Sequence, residues 1–335
     1  MNVLVTGGAG YIGSHTLVEL ITAGHRISVI DNLVNGKKAA IDAVRVLSNQ
    51  PVDFFDCDIT RREQLDRLLA KIKPDAVIHF AGVKSVAESI SNPIYYYDTN
   101  FFGTACLLHA MDRVGCSNII FSSSATVYDP KAEPPYTEMH PTNPINPYGR
   151  SKLFAEHLLE DWASLNPARC AISLRYFNPA GAHYSGVLGE DPKAQPTNLM
   201  PIILQVASQS NGQVNIFGGD YPTEDGSCER DYIHVTDLAK GHVAALERIK
   251  DLLGYSVFNL GTGQPTSVLE LITKFSLIAG VDIPYQIVDR RPGDSPRSWA
   301  SVQKSNRILN WKAMESIESI IHDSFNWLLN NPKGF

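Results

Sequence analysis

The stretch Asn2–Ile21, NVLVTGGAGYIGSHTLVELI, runs from an apolar strand pattern (Val3, Leu4, Val5) through a glycine loop into a helical period (Ile12, Leu17, Leu20, Ile21). Gly7, Gly10 and Gly13 stand at the spacing G-x-x-G-x-x-G. Glycine lets the backbone turn sharply and approach a ligand closely. The helix opening behind the loop offers free N–H groups and a positive dipole end to a pyrophosphate. A strand before the triplet and a helix after it are the context that makes it a dinucleotide loop. The second strand pattern, Arg26 to Ile30, ends in Asp31. An acid there accepts hydrogen bonds from an adenosine ribose diol and repels a 2′-phosphate, which favours NAD over NADP.

Outward from this loop, short β-branched runs alternate with amphipathic ones. Val3–Thr6, Ile27–Asp31, Val52–Phe55, Ala76–Phe80, Asn118–Ser122 and Ala171–Tyr176 read as strands, and Arg61–Ile72 and Thr99–Val114 as helices. The alternation predicts an α/β fold, a Rossmann-type doubly wound parallel sheet with helices on both faces. Ligands of such sheets bind beyond the carboxyl ends of the strands. There the sequence places the glycine loop, Asp31, Asp58-Ile59, Phe80-Ala81-Gly82 and Ser122–Ser124. After Phe177 loops rich in Pro, Gly and Asn take over, as in Arg290–Ser298, with shorter helical runs at Leu199–Ser208 and Val268–Ala279. The expected division is an NAD-binding domain over residues 1–177, with return segments near 231–262, and a smaller, loop-rich α+β domain over 178–335. Tyr232–Arg248 reads as a helix packing back on the first domain, and Ser256–Leu260 as an added strand.

Composition narrows the class. The 335 residues are 44% apolar and 19% charged, with a net charge of −6, which argues against a generic nucleic-acid or acidic-membrane surface. The five cysteines show no C-x-x-C spacing and read as small core residues of a reducing compartment. The histidines, among them His79, His109, His183 and His234, form no metal-spaced cluster. No apolar run reaches membrane-span length and no leader pattern opens the chain, so a cytoplasmic protein is expected.

The chemistry is concentrated in NPYGRSK. Tyr148 and Lys152 are four residues apart and share one face of a helix. A cation so placed favours the phenolate. Free tyrosine titrates near ~10, so a base working near neutrality needs a fall of about three units, roughly 4 kcal/mol. Lys152, with the positive charge of an oxidised nicotinamide ring, is the expected source.

TGGAGYIG, the Asp31-Asn32 pair, HFAG with Lys84, SSSATVY and YGRSK resemble the extended short-chain dehydrogenase/reductase superfamily. RYFNPAGAH, EDP, NLMP, IFGGDYPTEDG, RDYIHV and NLGTG narrow the resemblance to its UDP-hexose 4-epimerases, from Val3 to about Trp311. The resemblance implies reversible C4 epimerisation of a UDP-sugar through a 4-keto intermediate on bound NAD. It makes Tyr148 the acid/base, Ser124 its partner on O4, and Lys152 the residue that holds the nicotinamide ribose. It carries the cofactor positions to Tyr11, Ile12, Asp31, Asn32, Asp58, Ile59, Phe80, Lys84 and Phe177, beside the loop residues Asn35, Ala81, Gly82, Ser122 and Tyr176. Thr99 stands where the family often has Asn. The two lysines of Asn35-Gly36-Lys37-Lys38 read as a solvated helix face.

For the substrate, Arg230 and Arg291 are the expected diphosphate ligands, because arginine presents a planar fork to phosphate oxygens. By resemblance Asn178, Asn198 and Leu199 contact the nucleotide sugar, Phe217 and Ile216 border uracil, and Asp294 reaches the uridine ribose. Ser298 is small where some relatives carry tyrosine, which points to added room for a 2-acetamido group. Ala125 and Thr126 lack the acidic pair that a 4,6-dehydratase needs. A UDP-uronic acid 4-epimerase and an NAD-binding regulator without chemistry stay as alternatives. The resemblance further implies a homodimer through helices Thr99–Val114 and Pro147–Trp162.

Overall fold

The computed structural model describes residues 1–209, 212–291 and 293–335; Pro292, within the expected Arg290–Ser298 loop, lies outside them. Among the described residues thirteen strands follow in chain order: β1 (Asn2–Thr6), β2 (Arg26–Asp31), β3 (Asp53–Asp56), β4 (Ala76–His79), β5 (Asn118–Ser124), β6 (Cys170–Tyr176), β7 (Asn178–Ala180), β8 (Val214–Phe217), β9 (Glu229–His234), β10 (Gly254–Leu260), β11 (Pro265–Ser267), β12 (Tyr285–Val288) and β13 (Arg297–Ser298). Seven form one sheet in the order β10-β6-β5-β4-β1-β2-β3, and every pairing in it is parallel.

Strand alternation builds the two faces. Val3 and Val5 of β1, with Val29, Ile78, Ile120 and Ile172, enter one core, under the helices Tyr11–Thr22, Lys38–Ser48 and Val235–Glu247. Leu4, with Ile30, Val77, Ile119 and Phe121, enters the other, under Arg62–Ile72, Gly103–Val114 and Pro147–Ser164. The strand order reverses between β1 and β4, so a crevice opens beyond their carboxyl ends. Gly7 and Ala81 meet there.

The smaller region is mixed. Strand β9 pairs with β7 and β13 in parallel and with β11 antiparallel, while β8 and β12 form a separate parallel pair. A third core, including Met200, Ile203, Tyr232, Phe275 and Ile321, lies under them.

Two expectations change. The segment Tyr232–Arg248 begins as a strand, and its helix covers Val235–Glu247 only. The buried Asp231 carboxylate accepts from the N–H groups of Thr262, Gly263 and Ala300 and so holds that chain extended. The helix does pack on Tyr11–Thr22, and Gly254–Leu260 does extend the large sheet. The run Thr99–Val114 is not one α-helix, because a π-helical turn over Tyr97–Phe102 precedes it. Such turns re-aim side chains and often mark functional sites.

Candidate active site

Backbone crowds the glycine loop at its first and last glycines. Gly7 sits at φ +74°, and a Cβ there would lie 2.6 Å from the Ala81 nitrogen. A Cβ on Gly13 would lie 2.3 Å from the Gly7 carbonyl oxygen. Gly10 caps the helix Tyr11–Thr22 without a side-chain hydrogen bond, and the first-turn N–H groups of Tyr11 and Ile12 have no intrahelical acceptor. That donor set fits a pyrophosphate. Asp31 is buried at the end of β2 and accepts from Ala9 N at 3.0 Å and Leu33 N at 2.8 Å. Asn32 donates to Asp58 at 3.0 Å, tying the ends of β2 and β3 together. Ile59 turns its side chain into the core against Gly103, leaving only its backbone for a ligand. Asn35 is exposed on the neighbouring loop. These residues fit an adenosine diphosphate lying across the crevice.

Beyond β4, Phe80 packs on His242 with ring centroids 4.7 Å apart. His79 is bonded on both nitrogens, to Thr6 at 2.6 Å and Thr104 at 3.0 Å, and burial pushes its pKa down to about 3. It is a packed neutral residue, not a ligand. Asn100 rather than Thr99 borders this loop. Asn100 is buried, accepts from Val83 N, and donates to Val83 O and Ser151. A Cβ on Gly82 would meet the Asn100 amide oxygen at 2.8 Å and the Lys152 nitrogen at 3.6 Å. The π turn brings Asn100 inward and leaves Thr99 half-exposed.

The helix Pro147–Ser164 starts sharply because Asn146 accepts from Gly149 N at 2.8 Å and Pro147 occupies its first turn. Tyr148 is therefore in the first turn, half-buried, with Lys152 one turn on and buried. The Lys152 ammonium donates to the Ser122 carbonyl at 2.8 Å and lies 4.8 Å from the Phe121 ring centre. Burial lowers its pKa to about 8. Burial likewise raises the Tyr148 phenol above its ordinary value, opposed by a hydrogen bond with Ser124 and by the Lys84 ammonium. Lys84 is thus a protein cation pulling on Tyr148 that the helical spacing alone did not point to. Lys84 is itself paired with Glu190 at 2.9 Å, and Glu190 raises its pKa. Ser124 accepts from the Thr126 hydroxyl at 2.8 Å, which leaves its own proton free to donate.

Tyr176 is buried with its hydroxyl 3.4 Å from His242. Phe177 packs in a small cluster with Tyr128 and Tyr136. The helix Leu199–Ala207 begins after Asn198, whose side chain makes no capping bond and is exposed, while Asn178 in β7 and Leu199 are half-buried. Arg291 pairs with Asp294 at 2.9 Å and lies 4.5 Å from the Phe217 ring centre. Arg230 approaches the same carboxylate at 4.0 Å, so Asp294 holds the two guanidinium groups side by side. Ile216 does not border this surface, because alternation along β8 turns its side chain into the third core. Ser298 pairs in register with Arg230, which puts a small side chain at the edge of the arginine cluster.

The solvated reading of Lys37 also fails. Lys37 pairs with Asp191 at 2.5 Å, and only Lys38 is exposed. Asp191 follows Glu190 in the sequence, so two adjacent acids anchor one loop to the edge of the crevice. Tyr11 adds a third tie by donating to the Gly181 carbonyl at 2.7 Å. The EDP motif was visible in the sequence, but its partners lie more than a hundred residues away and carry no local signal. Among the described residues no helix is long and apolar enough to cross a membrane.

Residues 3–261 match the family described as Epimerase, NAD dependent epimerase/dehydratase family. The chain is 46% identical to the UDP-glucose 4-epimerase of Bacillus subtilis, over all of this chain (100%) and 99% of the relative. Among solved structures it is similar to UDP-glucose 4-epimerase from Bifidobacterium longum in complex with NAD⁺ and UDP. That likeness has a TM-score of 0.96 and 47% identity, covering 99% of each chain. It is also similar to the Stenotrophomonas maltophila UDP-glucose-4-epimerase with bound NAD and formylated UDP-arabinopyranose. Here the TM-score is 0.96 and the identity 44%, again over 99% of each chain.

Proposed function

From the premise that the chain belongs to the NAD dependent epimerase/dehydratase family, we infer that it is an NAD-dependent isomerase catalysing reversible C4 epimerisation of UDP-hexoses, UDP-glucose and UDP-galactose. The observation that carries the reading is the placement of Tyr148, Ser124, Lys84 and Lys152 around the end of the crevice occupied at its other end by the glycine loop.

NAD supplies a reversible two-electron acceptor whose oxidised ring carries positive charge. Tyr148 takes the C4 hydroxyl proton as C4 is oxidised and returns it as the 4-keto sugar is reduced on its other face. Ser124 donates to O4 and keeps it within reach of the phenol. Lys84 and Lys152 favour the phenolate, which burial alone disfavours. A base whose proton affinity is tuned toward the working pH transfers protons efficiently both ways, as a reversible reaction requires. Arg230 and Arg291, braced by Asp294, hold the diphosphate, with Phe217 beside the uracil and Asn178, Asn198 and Leu199 toward the sugar.

The test needs no added coenzyme. Purified protein mixed with UDP-galactose alone is expected to form UDP-glucose, because each turnover restores the oxidised cofactor. No epimer from protein carrying a full complement of NAD overturns the reading.

Ser298 supports a wider substrate range that includes UDP-GlcNAc and UDP-GalNAc. Serine leaves volume beside Arg230 where a tyrosine ring would stand. Ser298→Tyr is expected to cut activity on UDP-GalNAc at least about tenfold and to spare UDP-galactose, since a pocket rejects an oversized group by steric overlap. Equal activity ratios in the two proteins, measured by coupled assay, would remove the idea. We further propose a division near residue 177 with return segments near 231–262, a cytoplasmic location, and a homodimer. Phe102 and Phe154, 42% and 44% exposed on the expected interface helices, support the dimer.

A further inference from the structure

The helix that carries Tyr148 and Lys152 presents a third residue on the same face. Glu156 follows at the next i+4 position, so the three side chains rise in a row about 12 Å long. Glu156 is 3% exposed and Arg175 is 5% exposed. Arg175 donates from Nε to Glu156 Oε1 at 2.9 Å and from Nη2 to Oε2 at 2.5 Å. Ser123 donates to Oε1 at 2.5 Å. Three successive residues of β5 therefore serve three successive positions of the helix. Ser124 faces Tyr148, the Ser122 carbonyl takes the Lys152 ammonium, and the Ser123 hydroxyl takes Glu156.

We propose that Glu156, locked by Arg175 and Ser123, is a positioning residue for the reaction: it keeps the Lys152 ammonium charged and seated at the Ser122 carbonyl, where it serves Tyr148. The inference rests on the roles given above to Tyr148 and Lys152. Stability by itself does not account for the pair, because a buried ion pair is usually no more stabilising than packed apolar residues of the same volume. The titratable and charged groups facing Lys152 are Tyr148 and Glu156 on its own helix and His79 from β4, while Arg175 of β6 is bonded to Glu156, and Tyr176 of β6 and Lys84 act on Tyr148. Glu156 is the one carboxylate among them. It opposes the burial that drives the Lys152 proton off.

The sign follows from charge. Without the Glu156 carboxylate, Lys152 gives up its proton at lower pH, and Tyr148 keeps its own to higher pH. In NAD-loaded Glu156→Gln, the acid limb of the turnover profile is expected to move up by about one pH unit. Turnover at a fixed pH on that limb then falls about tenfold and recovers as the pH is raised, with NAD content unchanged. Glu156→Asp, which keeps the charge, is expected to restore most of the wild-type profile. A uniform loss at every pH, or no change, overturns the proposal. If the buried Arg175 charge prevents Glu156→Gln from folding, Glu156→Gln/Arg175→Met removes both charges. It is expected to shift the limb in the same direction by less, and an unshifted limb there overturns the proposal equally. Wild-type protein that fails to epimerise, or a Tyr148→Phe variant that remains active, defeats the reading of the site itself. An active wild type with unshifted variants defeats the Glu156 inference alone.

Discussion

Tyr148→Phe will lose about 10²–10⁴-fold in kcat, the range that general acid–base groups contribute, while its NAD content and melting temperature stay near wild type. The loss is specific because phenylalanine keeps the ring in place. The first helical turn is fixed by Asn146 and Pro147, not by the phenol, and the Tyr148 ring packs edge-on to Tyr96 at 6.4 Å. What disappears is the group that accepts and returns the proton, while the binding surfaces for NAD and the diphosphate persist. KM for UDP-galactose should therefore change little beside kcat, since the hydroxyl acts mainly in the transition state. Turnover within threefold of wild type would mean that the proton goes elsewhere, and Ser124 would become the first residue to examine.

Gly7→Ala is expected to purify with little NAD and to melt several degrees lower. The φ of +74° alone costs an L-residue about 1–2 kcal/mol. The collision adds to this, because a Cβ would lie 2.6 Å from the Ala81 nitrogen and 2.8 Å from the Phe80 carbonyl carbon. Both atoms are backbone, so no rotamer change relieves the overlap. Relief requires β1 and β4 to part at the switch point, which is where the dinucleotide is expected to lie. Gly24→Ala separates the two contributions. It has a φ of +81° with nothing within 4 Å, so it should lose stability by backbone strain alone and keep its NAD. Released NAD measured after denaturation, together with a thermal melt, checks both variants. Full NAD occupancy in Gly7→Ala would show that the crevice tolerates separation and would remove the glycine loop from the cofactor argument.

Tyr148 shows most clearly where reading the chain stops. Its spacing to Lys152 identifies the pair, because four residues on a helix are neighbours whatever surrounds them. The spacing does not set its proton affinity. Burial raises it, and one protein cation that opposes burial is Lys84, sixty-four positions earlier in the chain and beyond the end of another strand. Thr99 and Asn100 make the same point over a single residue. Both are polar and adjacent, and the π-helical turn selects Asn100. Ile216 is the converse case, a residue beside the expected site that strand alternation turns into the core.

Taken by itself, the amino-acid order determined the parallel sheet, the nucleotide loop at its switch point, and the helix that bears Tyr148 and Lys152. Each of these is written in periodicities of two or of about four residues and in the freedom of particular glycines, all properties of neighbouring chain. Only the folded molecule decided that Glu190 and Asp191 tie down Lys84 and Lys37, that Asp294 braces Arg230 and Arg291, and that Glu156 and Arg175 lie behind the reacting pair. Desolvation and the meeting of charges from distant segments depend on how elements pack, and no local pattern encodes those distances.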